Sequence, residues 1–307
     1  MTFAPHHIIK GRKVAFDLAD SPLHWIPDDV ETSHIVNGIH LLLPAGELWF
    51  CRVFNQAMPL ITDEHLKLDV HGFIRQEAIH AQAHRHGERW LEEHGLDVEA
   101  ARGRSDKIFG QLLGDDPLGL PLLGKLPLKK QWLVLRVGII AAVEHFTGML
   151  GDWCMNSDSW DKADPVVADL FRWHLAEEVE HRTVAFELFE HLCKTQLGFY
   201  ISRQALMVLV FPAFIYLLGD TARVLAKQDP HPDAQKLARQ SMLGVLWGLE
   251  RRGRLTDNGP TFTFLLERAV RWLSPTFNPI YEGNTQQALD YIARSPAAQA
   301  GADAKAA

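Results

Sequence analysis

The sequence contains little cysteine and no long run of basic residues. Its three cysteines, Cys51, Cys154 and Cys193, lie far apart without a C-x-x-C pair, which excludes a disulfide framework and a cysteine metal site. Such usage is typical of a reducing compartment, so we expect a cytoplasmic protein. The net charge of −7 argues against nucleic acid as a partner. The N-terminus has no continuous apolar segment, so no secretory signal is predicted.

Strand patterns are nearly absent, and apolar residues recur instead at helical spacing, which predicts an all-α fold. Four helices are expected over roughly 32–58, 63–94, 131–156 and 164–194, the first kinked or restarted at Pro44. The segment 96–130 is rich in Gly and Pro and far longer than an ordinary helix connection, which predicts a crossover. Two helical hairpins joined by one long crossover match a ferritin-like four-helix bundle.

The predicted organisation has four parts: an N-terminal arm (1–30), the bundle (31–195), C-terminal helices packed on it (196–292) and a flexible tail (293–307). The apolar run 206–218 would span only about 20 Å as a helix, less than the roughly 30 Å of a bilayer core. We therefore expect a buried helix there. The alternative is peripheral contact with a membrane, or a hydrophobic entrance for substrate. The apolar C-terminal helices also suggest a homodimer.

Two Glu-x-x-His motifs lie in the second and fourth predicted helices, Glu77–His80 and Glu178–His181. In each motif the two side chains share one face of the helix. Glu47 and Glu144 lie in apolar stretches of the first and third helices. Four glutamates and two histidines on four helices are the ligand set of a di-iron or di-manganese bundle.

The positions of these glutamates agree with that interpretation. Each lies roughly 11–14 residues from its hairpin turn, which places all four carboxylates at a similar depth of about 16–21 Å along their helices. Four carboxylates in one buried layer would repel each other, and two divalent cations remove that conflict. The sequence leaves open whether Glu47 and Glu178, or Glu77 and Glu144, bridge the cations.

Other polar residues surround these six. His174 lies four residues before Glu178 on the same face, so it is either a third histidine ligand or a core histidine bonded to a ligating carboxylate. Glu177 and Glu180 are expected in solvent or beside the ligands. From their spacing along the helices, His84 is expected beside the site and His145 away from it. His40 and Cys51, seven residues before and four after Glu47, are expected in core packing or in a pocket wall.

Four segments resemble, in this order, a bacterial family of predicted metal-dependent hydrolases: LLLPAGELWF, FIRQEAIHAQAH, WHLAEEVEHRTVAFELF and LSPTFNPIYEGN. The resemblance spans roughly residues 35–285. It implies a ferritin-like fold and the ligands Glu47, Glu77, His80, Glu144, Glu178 and His181. The His-x-x-x-Glu-x-x-His arrangement at His174 is also similar to that of arylamine N-oxygenases, a likeness confined to the site.

Our principal hypothesis is a di-iron oxidase or oxygenase that holds two iron ions, with manganese or zinc as alternatives. Carboxylates and imidazoles suit iron or manganese, and the H-E-x-x-H motif of helical zinc hydrolases is absent. Glu47, Glu77, Glu144 and Glu178 would be catalytic, with O₂, an external electron donor and a small apolar or aromatic substrate. Aromatic residues near the ligands predict the apolar pocket: Trp49, Phe50, Phe73, Phe146 and Phe171.

Two other classes of function are compatible with these residues. One is a metal-dependent hydrolase in which a metal-bound water attacks an ester or amide. The other is a non-catalytic metal-binding protein.

Overall fold

The computed structural model describes residues 7–124 and 127–306, and within these ranges the chain is helical and contains no strand. The all-α prediction is confirmed. The helices in chain order are α1 (Val30–Asn37), α2 (Leu43–Ala57), α3 (Glu64–Glu93), α4 (Glu99–Asp106), α5 (Pro121–Gly124), α6 (Lys129–Met155), α7 (Pro165–His181), α8 (Val184–Leu192), α9 (Gln196–Ala226), α10 (Pro232–Arg239), α11 (Met242–Thr256), α12 (Phe262–Trp272), α13 (Thr285–Arg294) and α14 (Pro296–Ala306).

Two helical pairs form the centre of the molecule. Helix α2 packs on α3, α6 packs on α7 and α8, and the pairs join through α2 with α6 and α3 with α7 and α8. Local sequence explains where these helices begin. Asp63 and Asp164 accept hydrogen bonds from the free N–H groups of α3 and α7, and Pro165 occupies the first position of α7. Gly95, at φ 82°, follows the end of α3.

The first and fourth predicted helices are each divided in the structure. The first consists of α1 and α2 with a 3₁₀ turn at Gly38–Leu41 between them, so the chain restarts next to Pro44. The fourth breaks after His181. In a continuous helix the Thr183 N–H would bond to the Val179 carbonyl, but that carbonyl accepts a hydrogen bond from the Arg182 guanidinium instead. The helix resumes as α8.

The crossover between α3 and α6 is partly helical in its described residues. It contains α4, a π-helical turn at Lys107–Leu112 and the short α5. The π-helical turn packs against α2. It carries Phe109, whose ring packs in a tilted orientation against the ring of Trp49, with 5.6 Å between the ring centres. The crossover therefore covers one side of the central helices.

Helix α9 is longer than the apolar run 206–218 predicted, because Pro212 lies inside it without ending it. Its 31 residues correspond to about 46 Å. Leu206 and Ile215 are buried, whereas Val208 and Leu209 are exposed. Helices α6 and α9 are both long and apolar enough to cross a membrane, but in α6 most of the apolar stretch is buried in the protein and in α9 only 39% is.

The N-terminal and C-terminal segments pack against each other. Residues 7–29 contain no helix, and Trp25 in this arm is buried. The segment predicted as a flexible tail instead completes α13 and forms α14, apart from residue 307, which lies outside the described residues. Pro296 begins α14, and Asp169 of α7 accepts hydrogen bonds from Ser295 and Ala297. Those bonds anchor a stretch that composition alone suggests is loose.

Candidate metal centre

All seven residues predicted as ligands lie together in the interior between the central helices. Potential ligand atoms form two groups, and within each group they lie within 4.8 Å of one another. The first group contains Glu47 of α2, His80 of α3 and His174 of α7. The second group contains Glu77 of α3, Glu144 of α6, and Glu178 and His181 of α7. Every one of these side chains is buried.

Glu178 connects the two groups. Its Oε1 atom lies 2.7 Å from Nε2 of His174 and 3.4 Å from Nδ1 of His80. Its Oε2 atom lies 3.2 Å from Nε2 of His181. Glu77 also faces both groups, because its Oε1 lies 3.7 Å from Nδ1 of His80 and 3.5 Å from Nε2 of His181. The carboxylates that face both groups are therefore Glu77 and Glu178. Each of them belongs to a different one of the two bridging pairs that the sequence left open.

Glu47 and Glu144 lie at opposite ends of this arrangement. Glu47 Oε1 is 3.6 Å from Nε2 of His174, and Glu144 Oε2 is 3.5 Å from Nε2 of His181. Each therefore belongs to one group only.

Many of these ligand atoms have no hydrogen-bond partner among the described residues. This holds for both carboxylate oxygens of Glu47, Glu77 and Glu144, and for Nδ1 of His80 and Nε2 of His181. Buried polar atoms are normally bonded, and an unpaired buried carboxylate is costly. Four carboxylates and three imidazoles that converge from different helices are a donor set suited to divalent cations. The residues present therefore fit a pair of such ions.

The electrostatics of the centre point the same way. Burial, reinforced by the charge of Glu178, raises the pKa of Glu47, Glu77 and Glu144 well above the usual value. Burial alone would also raise the pKa of Glu178, but His181, His174 and His80 hold it well below its usual range. Without a cation, the first three carboxyl groups favour their protonated form. Cations and protons therefore compete for the same oxygens.

A buried ion-pair network supports His80 from behind. Its Nε2 lies 2.9 Å from Oε2 of Glu177. The other oxygen of Glu177 accepts a hydrogen bond of 2.7 Å from Arg12, which also donates two bonds to Glu180. Glu180 accepts a further bond of 2.7 Å from Gln76. Glu177 and Glu180 are thus buried beside the ligands rather than in solvent.

Arg12 belongs to the N-terminal arm, in which no sequence pattern indicates a functional residue. The three acids at 177, 178 and 180 of a buried helix do require a nearby positive charge, but their positions do not show which residue supplies it.

A chain of three histidines leads away from the centre on the other side. Nδ1 of His174 lies 2.6 Å from Nε2 of His84, and Nδ1 of His84 lies 2.8 Å from Nδ1 of His40. Burial, with the neighbouring His174, lowers the pKa of His40 to about 3 and that of His84 well below its usual value. Both imidazoles are therefore neutral at ordinary pH. Gly87 makes room for His40, since a Cβ there would lie 2.3 Å from its Nδ1.

His145 and Cys51 take no part in the two groups. The Nε2 atom of His145 lies 3.0 Å from the Arg268 carbonyl, and the ring packs among aromatic residues. The Cys51 thiol donates to the Ile74 carbonyl at 3.4 Å. His145 thus lies away from the site, as its position on α6 predicted.

An apolar cavity of about 460 Å³ reaches the centre at His174. Its walls come from α1, α2, α6, α9 and the π-helical turn. Phe50 and Phe171 line it, as predicted. Phe73 instead packs against the His181 ring at 4.7 Å, and Trp49 and Phe146 lie in the core. The cavity is nearly free of polar groups apart from His174 and two threonines.

A third cluster lies outside the centre and was not anticipated from the sequence. Nε2 of His24 and Nε2 of His34 each lie 2.6 Å from Oδ2 of Asp229. The other oxygen of Asp229 accepts the backbone N–H of His231. These bonds tie the N-terminal arm to α1 and to the loop after α9. Asp229 lies 205 positions from His24 and 195 from His34, so no spacing motif marks the cluster.

No curated protein and no solved structure matches the chain. A family model described as predicted metal-dependent hydrolase matches residues 10–283. This range includes Arg12 and all residues of the candidate centre. The match covers most of the sequence, so the chain belongs to the family of predicted metal-dependent hydrolases.

Proposed function

We propose that the protein is a hydrolase that holds two divalent cations between four central helices of ferritin-like topology. One observation carries the proposal: two adjacent groups of buried ligand atoms share Glu178, with one of its oxygens toward each group. Membership of the family supports the hydrolytic reaction. The packing of α2 with α3 and of α6 with α7, joined by the crossover, supports the ferritin-like topology.

One ion would be held by Glu47, His80 and His174, and the other by Glu144 and His181, with Glu77 and Glu178 available to both. Bound there, divalent cations supply Lewis acidity toward a carbonyl group and lower the pKa of water. The net reaction adds water across an ester or amide bond and releases the acid with the alcohol or amine.

Residues around the ligands would fix how the imidazoles bind. The Nε2–H of His80 donates to Glu177, which leaves Nδ1 free for an ion. Nε2 of His174 lies 2.7 Å from Oε1 of Glu178, so an ion bound at Nε2 would take the place of that hydrogen bond and leave the proton of His174 on Nδ1. His84 would then accept from Nδ1 of His174 and donate from its own Nδ1 to His40. With ions bound, the two networks would thus hold His80 and His174 in opposite tautomers, each suited to ligation.

The proposal is tested by metal analysis and by hydrolysis in the absence of O₂. Protein loaded anaerobically with zinc, manganese or ferrous iron should hold two ions per chain and hydrolyse p-nitrophenyl esters. Glu144→Gln should lose at least one ion and most of the activity, whereas Glu93→Gln, at an exposed position of α3, should retain both ions and the activity. A protein that binds no divalent ion, or equal losses in the two variants, would contradict the proposal.

An oxidase or oxygenase remains a second candidate because of the ligand types. Carboxylate-rich sites with imidazoles suit iron, and His174 adds a third histidine to the set. In that case the ferrous protein should consume O₂ and show no ester hydrolysis without it. The external electron donor that such a reaction requires is part of this second candidate only.

A further inference from the structure

The cavity that reaches His174 opens at the surface through four leucines that both line it and are exposed. These mouth leucines, with their exposed fractions, are Leu112 (44%), Leu118 (56%), Leu135 (38%) and Leu209 (68%). Leu120, Leu122 and Leu128 of the same crossover are also exposed. Four exposed leucines around one apolar cavity form a surface suited to an apolar partner.

Basic residues accompany the mouth leucines. Residues 104–136 contain six basic and three acidic side chains, in a chain whose net charge is −7. Two of the basic residues are paired, Arg104 with Asp220 and Arg136 with Asp115. Lys107, Lys129 and Lys130 are exposed. Exposed leucines with lysines near them in the sequence, such as Leu112 after Lys107 and Leu128 before Lys129, are complementary to a bilayer with anionic headgroups.

We propose that the mouth leucines dock on an anionic membrane surface and that the cavity receives the acyl chain of a lipid-borne ester or amide. The second half rests on the proposed function, because it assigns a substrate class to that centre. The acyl chain would pass from the bilayer between the mouth leucines into the cavity without contact with water. Its cleavable bond would lie at the His174 end, the one place where the cavity reaches ligands.

Vesicle flotation of the full chain tests the docking. The protein should float with vesicles of phosphatidylcholine mixed with phosphatidylglycerol and much less with phosphatidylcholine alone, and added salt should weaken the binding. Leu209→Glu should reduce the bound fraction at least about tenfold, since it places a charge against the acyl chains. Lys129→Gln with Lys130→Gln should reduce it by about fivefold per lysine, since each change removes one positive charge near the headgroups. Leu68→Glu on α3, at a leucine with 51% exposure that does not line the cavity, is the matched control.

Absence of flotation with either vesicle, or an equal loss in the Leu68→Glu control, would overturn the docking. So would a dimer, measured by light scattering without lipid, that Leu209→Glu dissociates, because the mouth would then be covered by a second copy. The acyl chain is tested separately by a fluorescent fatty acid, which the wild-type protein should bind and Gly46→Leu should exclude, since Gly46 lines the cavity. Equal binding by both proteins would overturn that half.

The two proposals fail in different ways. Glu144→Gln should float as well as the wild type, because docking requires neither metal nor turnover. Flotation without metal binding would refute the hydrolase and leave the docking surface in place. Hydrolysis of short soluble esters by a protein that never binds vesicles would refute the docking surface and leave the hydrolase in place.

Discussion

Replacing Arg12 by alanine should weaken both the fold and the metal centre. Arg12 donates three hydrogen bonds of 2.6–2.9 Å to Glu177 and Glu180, whose carboxylates are fully buried. Removal of one partner of a buried ion pair costs about 3–5 kcal/mol. Because the Arg12 side chain is 23% exposed, water compensates in part, and we expect a loss of about 2–4 kcal/mol in the free energy of unfolding. That loss corresponds to a Tm lower by roughly 4–10 °C.

Metal affinity should fall as well, because Glu177 would no longer be held in place against Nε2 of His80. Loss of such a supporting contact weakens metal binding by about 10–100-fold. Thermal unfolding and chelator competition measure the two effects. Arg104→Ala is the control, since Arg104 pairs with Asp220 at an exposed position and should cost under about 1 kcal/mol. Equal stability and equal metal affinity in the two variants would refute the reasoning.

Three further results are expected. Burial lowers the pKa of His145 to about 4, so the stability that its neutral form contributes is complete above pH 6.5 and is lost as pH falls toward 4. In His145→Phe the free energy of unfolding should therefore vary less between pH 6.5 and pH 4, by about 2–4 kcal/mol. The same dependence on pH in the variant and the wild type would contradict this. Gly87→Ala should destabilise the protein by about 1–3 kcal/mol because its Cβ would meet His40. Gly103→Ala in α4, with open space around it, should instead stabilise the protein by up to about 1 kcal/mol. Denaturant unfolding measures both changes, and a change of the same sign in the two variants would contradict the reasoning. Metal binding should release protons from the carboxyl groups of Glu47, Glu77 and Glu144, whose pKa is raised, so metal affinity should increase with pH. Calorimetry in buffers of different ionisation enthalpy measures this release. No release of protons would mean that the carboxyl groups are already ionised, against the prediction.

Periodicity and spacing were sufficient to predict the helices that carry the ligands. Asp63 and Asp164-Pro165 are local signals, and they mark the starts of α3 and α7 within one residue. The four glutamates converge as their distances from the turns predict, because the rise per residue of a helix is constant. The ligand roles of the seven residues stay predictions until metal is measured.

What the sequence did not reveal depends on contacts between distant segments. The break after His181 arises from Arg182, which bonds to carbonyls of the chain near residue 280. Arg12 reaches Glu177 across 165 positions, and no local pattern encodes such a pairing. The same holds for α14, whose composition suggests disorder but whose first turn is bonded to Asp169.

The π-helical turn at Lys107–Leu112 places the wall of the cavity against the backbone of a ligand-bearing helix. The ring of Phe109 lies 3.4 Å from where a Cβ of Gly46 would stand, one residue before Glu47. The same turn ends at Leu112, one of the mouth leucines. A molecule that displaces Phe109 would change the packing of α2 at Gly46, next to Glu47, and binding free energies are reciprocal. Occupancy of the cavity and occupancy of the Glu47 side of the centre would then be thermodynamically linked, each changing the affinity of the other by the same factor.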